Sequence, residues 1–133
     1  LQQKNWGARK IMAEAVVARK NGYSFVDSLP QIAVFNYMKV PLGYGAKYEK
    51  MENDLNRSPD KNAPRVAWSY SKRLDLNGEN VGWNYITADF FKSYKAAMQA
   101  RANTPAYSKD LLQAFKSRKL VKSEMAGKLM SLR

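Results

Sequence analysis

Apolar residues recur at helical spacing along almost the whole chain. In "NWGARKIMAEAVVARKNG", Ala8, Ile11, Met12, Ala15 and Val16 form one stripe, Asn5 stands at a capping position, and Asn21-Gly22 supplies a left-handed stop. Arg9, Lys10 and Lys20 fall on the opposite side, so the pattern predicts a basic amphipathic first helix. In "SLPQIAVFNYMKVP", Ser28 and Gln31 have capping-box spacing, Pro30 suits a first turn, and Pro41 ends the element near Lys39. Ile32, Ala33, Val34, Phe35, Tyr37 and Met38 would surround most of a helix, predicting the most buried one. A short buried strand is the alternative for such a run.

Further along, Tyr44, Tyr48, Met51 and Leu55 predict a third helix ending near Asn56. Residues 56–64, "NRSPDKNAP", have the composition of a surface loop, and Asn56-Arg57-Ser58 matches a glycosylation triplet. Residues 65–74 are read as helix through Ala67, Tyr70 and Leu74, although Val66, Trp68 and Tyr70 alternate as in a strand. In "GWNYITADFFKSYKAAMQAR", with Thr87 as cap, Phe90, Phe91, Tyr94, Ala97 and Met98 make a continuous stripe. Thr104-Pro105 opens another helix bearing Leu111, Leu112 and Phe115. Residues 117–133 read as a basic helical segment, turning at Leu120 and Val121 and capped at Ser123, with Met125, Leu129 and Leu132 inward.

The expected fold is therefore all-α: one small domain of five or six short helices with long aromatic-rich loops. A weak internal echo, "FNYM" at 35 against "WNYI" at 83 and "YSKRL" at 70 against "YSKDL" at 107, suggests two similar helical halves. A length of 133 residues suits a single modest core.

Charge changes the picture most. The net charge is +12, and residues 1–22, 23–64, 65–104 and 105–133 carry +4, 0, +3 and +5. Such a field attracts polyanions without choosing among nucleic acid, anionic membrane and acidic protein. The absence of cysteine and histidine removes disulfides, thiolate metal sites and the commonest general base, so neither an enzyme nor a metal or cofactor site is expected.

Two functional readings compete. The first is a non-catalytic structural adaptor, a basic linker or scaffold subunit binding acidic protein surfaces within a large assembly. Tyr and Trp residues that miss the core stripes would serve as anchors: Trp6, Tyr23, Tyr44, Trp68, Trp83, Tyr85 and Tyr107. In charge and build the chain is similar to the basic linker polypeptides of phycobilisomes, and to accessory ribosomal proteins, with no shared motif. Lys92, Lys95, Arg101, Lys109, Lys116, Arg118, Lys119 and Lys122 would contact the anionic partner; the second reading is an accessory RNA- or DNA-binding subunit, whose best patch is Lys109, Lys116, Arg118, Lys119 and Lys122. Lysine outnumbers arginine 15 to 8, which favours backbone contacts over base reading. The expected location is inside the cell, in an organelle if a targeting peptide preceded Leu1.

Overall fold

The computed structural model describes residues 15–76, 81–103 and 116–127. Five strands and two helices follow in the order β1 (Val17–Ser24), β2 (Ile32–Lys39), α1 (Gly45–Leu55), β3 (Arg65–Arg73), β4 (Tyr85–Phe91), α2 (Tyr94–Ala102) and β5 (Lys119–Gly127). The strands make one sheet in the order β1-β3-β4-β2-β5, with every neighbouring pair antiparallel.

The topology follows from that order. Strands β2 and β3 both run antiparallel to β4, so they are parallel to each other, and parallel strands require a crossover, here α1. The same holds for β4 and β5 on either side of β2, joined through a connection that contains α2. Two interleaved strand-helix-strand units result, the βαββαβ order of ferredoxin-like domains, with β1 added at one edge. "FNYM" lies in β2 and "WNYI" runs into β4, so the two halves are strand-helix-strand rather than helical.

The all-α expectation is thus corrected, and each correction has a local cause. Between Pro30 and Pro41 only eight residues, Ile32–Lys39, form an element, a typical strand length but short for a helix. Val34 and Met38 enter the core while Ala33, Phe35 and Tyr37 fall on the other face, β4 and β5 take up the hydrogen bonds of the two edges, and the capping-box spacing of Ser28 and Gln31 goes unused. Residues 65–73 follow the alternation of Trp68 and Tyr70. The stripe from Phe90 to Met98 spans a junction: Phe90 and Phe91 end β4, and Ser93, not Thr87, caps α2 by accepting a hydrogen bond from the Ala96 N–H at 3.1 Å.

The expected first helix overlaps β1 in its described part, and no left-handed stop occurs at Gly22; among the described residues only Gly43 has positive φ. Gly22 is needed for another reason. A Cβ there would lie 2.6 Å from the Trp68 carbonyl oxygen and 2.9 Å from the Ser69 Cβ, so β1 approaches β3 too closely for a side chain. At the other end, residues 119–127 are strand, and Ser123 sits mid-strand donating to Asn36 Oδ1 at 2.6 Å. The expected helix from Thr104-Pro105, with Leu111, Leu112 and Phe115, lies outside the described residues, as do Asn5 to Met12, Leu129 and Leu132.

The helix read over Tyr48 and Met51 is present as α1, and residues 56–64 connect it to β3 without helix or strand. Both helices pack on the same sheet face. Tyr48 and Met51 of α1 meet Met38, Trp68, Tyr70 and Tyr85, while Ala97 of α2 meets Val34 and Phe91. These sheet residues alternate with the opposite set by strand periodicity, so the second face carries Ala33, Phe35, Tyr37, Ala67, Ser69, Ile86, Ala88 and Phe90. Among the described elements, no helix covers it.

Candidate nucleic-acid interface

The uncovered face has an ordered side-chain pattern. In register, Phe90 stands between Ala33 and Ala67, so it is flanked by small side chains, while Phe35 stands between Ala88 on β4 and Glu124 on β5. Ser69 and Ser71 extend the low ground on β3. Tyr37 lies between Ile86 on β4 and Lys122 on β5. The Phe35, Tyr37 and Phe90 side chains are only partly buried.

Near Tyr37 the rings and cations converge. Trp83, just before β4, stands edge-on to Tyr37 with centroids 5.1 Å apart and planes at 75°. The Arg73 guanidinium lies 4.4 Å from the Trp83 centroid, and the Lys122 ammonium 4.6 Å from that of Tyr37. These are favourable cation-π distances, and they hold two positive charges against two aromatic rings. A carboxylate pairs with each of these cations, so the four groups together carry no net formal charge. Asp75 pairs with Arg73 at 2.9 Å, and Glu124 with Lys122 at 3.3 Å. Burial raises the Tyr37 phenol above its ordinary value, with the hydrogen bond to Glu124 adding to it; that same bond, with help from Lys122, holds the Glu124 carboxyl below the usual range. Lys39 is tied by its ammonium to the Val81 carbonyl.

A second feature lies on the helix side. A cleft of about 970 Å³ opens between α1 and α2 over a polar floor. Asn36 donates to Thr87 Oγ1 at 3.1 Å and to Asp89 Oδ2 at 3.0 Å, and Arg65 pairs with Asp89 at 2.8 Å. Arg65 also donates to the Tyr23 hydroxyl at 2.9 Å and to Asn56 Oδ1. Glu52 faces this cleft at only 6% exposure. Burial pushes its carboxyl up to about 7 against the pull of the Tyr48 hydroxyl and of Arg118 and Arg65. Asn56, in the glycosylation triplet, already uses its side-chain N–H on the Glu52 carbonyl at 2.9 Å.

The residues expected to bind a partner are dispersed. Trp68 and Tyr85 are core at 3% and 2% exposure, and Tyr85 donates to Glu49. Tyr23 packs against that core beside Trp68, under the Arg65 guanidinium. Tyr44 is exposed just ahead of α1. Trp83 alone among the described aromatic candidates joins the uncovered face. Of the cations, Lys122 joins that face, Lys119 lies farther along β5 opposite Lys39, and Arg118 and Arg101 line the cleft. Lys92 and Lys95 are exposed around the start of α2, and Lys116 is exposed ahead of β5. Trp6, Tyr107 and Lys109 lie outside the described residues.

Sequence reasoning passed over Phe35, Tyr37, Phe90 and Arg73 as binding candidates. The available signal was the alternation of Phe35 and Tyr37 with Val34, Asn36 and Met38, which places two aromatic side chains on one strand face. No helix among the described residues is long and apolar enough to cross a membrane, and no three described Asp or Glu side chains are grouped to hold a metal ion. The chain contains no cysteine that could attach a cofactor. It matches no known family model and shows no significant similarity to any curated protein. Nothing found supports the linker and scaffold description.

Proposed function

We propose that the chain binds single-stranded nucleic acid across the uncovered face of its sheet. The supporting observation is the cluster of Tyr37 and Trp83 with Arg73 and Lys122 at cation-π distance. Unpaired bases stack on aromatic rings, while lysine and arginine neutralise the adjoining phosphates. Phe35, on the same strand as Tyr37, and Phe90, on the neighbouring β4, stand opposite alanines and extend the platform. The +12 net charge would speed encounter and make affinity strongly salt-dependent. Double-stranded DNA does not suit this face, because its bases are already stacked on one another.

The adaptor reading orders differently on this geometry. Two of its aromatic anchors, Trp68 and Tyr85, are enclosed and offer no ring to a partner. The distinguishing experiment is a salt titration of binding to a short single-stranded RNA, run beside an acidic protein partner. The expected result is RNA binding that weakens steeply with salt and falls about tenfold or more in Tyr37→Ala, in line with roughly 1–3 kcal/mol per stacked base. Unchanged RNA affinity in that variant, or binding to the acidic protein alone, would overturn the proposal.

A further inference from the structure

Strand β5 closes one edge of the sheet, and all nine of its residues are exposed. One side of its backbone pairs with β2, and among the described residues no strand pairs with the other side. Leu120, Val121 and Met125 are 46%, 44% and 38% exposed along it. An uncovered edge with apolar side chains is a template for another strand.

The sequence of this edge complements itself. When "KLVKSEMAG" is laid antiparallel against a second copy about Ser123, Lys122 falls opposite Glu124 and Val121 opposite Met125. Lys122 and Glu124 both lie on the uncovered face, where they pair opposite Tyr37 and Phe35. Their ion pair within one chain links groups that are each about half exposed, so either partner can be exchanged for its counterpart across an axis. The other edge lacks this property. Strand β1 carries Arg19 and Lys20 and no acidic residue, so pairing it with itself sets like charges together.

We infer that a second copy of this chain docks on β5, antiparallel and two-fold about Ser123, joining two five-stranded sheets into one of ten strands. The two uncovered faces then lie side by side as a continuous platform. Because the same patch is used on both copies, assembly closes at two. The register irregularity in β5 opposite Tyr37 and Met38 confines the best pairing to the middle of the strand. That contact is smaller than a standard stable interface, so dimerisation depends on concentration.

The absence of native cysteine makes a direct test simple. Ser123→Cys puts the chain's only thiol on the axis, where opposed Cα atoms approach to about 4.5–5.5 Å, within disulfide reach. Mild oxidation of the full chain is expected to yield a disulfide dimer, whereas Val17→Cys on the β1 edge yields little. In sedimentation, Lys122→Glu and Glu124→Lys should each weaken dimerisation about tenfold by setting like charges opposite each other at two symmetric positions. The double exchange should restore it, with circular dichroism showing that each variant keeps the fold. A monomer at all concentrations, equal cross-linking of both cysteine variants, no restoration in the double variant, or growth past the dimer through β5-to-β1 pairing would each overturn the inference. No nucleic acid enters these measurements, so they stand apart from the binding proposal.

Discussion

Trp83 meets Tyr37 edge to face at 5.1 Å, and Arg73 covers the indole at 4.4 Å. The segment leading into β4 is thereby tied with β2 and β3 into a single aromatic-cationic cluster. Trp83→Ala removes both contacts at a partly buried position. It should weaken single-stranded RNA binding several-fold while costing about 1 kcal/mol of stability, the scale of an aromatic pair with its cation. Titration with RNA and urea denaturation of the same variant separate the two effects.

Trp68 gives the contrasting case. It is 3% exposed between Tyr23, Tyr70 and the α1 side of the sheet. Trp68→Ala should cost about 3–5 kcal/mol, as expected for a large aromatic removed from a core. Its RNA affinity, measured where the protein remains folded, should stay within about twofold of wild type, because a loss confined to the core leaves the stacking surface intact.

Arg65 joins three segments through Asp89, Tyr23 and Asn56, and its side chain is 31% exposed. Arg65→Ala is expected to lower stability by about 1–3 kcal/mol in urea denaturation by leaving the Asp89 charge and its neighbours unpaired. Arg65→Lys should recover little of this, since one ammonium cannot replace a guanidinium that donates in three directions.

Glu52 predicts a pH dependence with a definite sign. Burial raises its carboxyl in the folded protein to about 7, from an ordinary value of 4.5. Between those values the folded state binds a proton that the unfolded state has lost, so this group's contribution is fully present at low pH and is lost as pH rises through 7. The difference is on the order of 3 kcal/mol between pH 4.5 and pH 8. Glu52→Gln should flatten the stability profile over that window and raise stability at pH 8, measured by chemical denaturation. Asp54, Asp75 and Glu124 act with the opposite sign: their carboxyls are held low, chiefly by hydrogen bonds from Lys50, Arg73 and Tyr37, and their contributions fade as pH falls through the acid range.

Tyr37→Phe isolates one of those bonds. Without the phenol, the Glu124 carboxyl should titrate closer to its ordinary value, visible in carbonyl-detected NMR. The ring remains, so RNA affinity should change less than in Tyr37→Ala.

Length, the +12 charge, the missing cysteine and histidine, and the helix at Tyr48 and Met51 were all legible in the sequence, because each depends on composition or on one turn's worth of neighbours. The strands were not. Ile32–Lys39 fits either period locally, and its choice rests on hydrogen bonds to β4 and β5, about 50 and 90 residues away in the chain. The candidate site shares that origin. Phe35, Phe90, Tyr37, Trp83, Arg73 and Lys122 come from four separated segments and form one surface only because the strand order brings them together. Composition and short-range spacing determined what this chain could attract; the pairing of distant strands decided which side chains meet and which face they share.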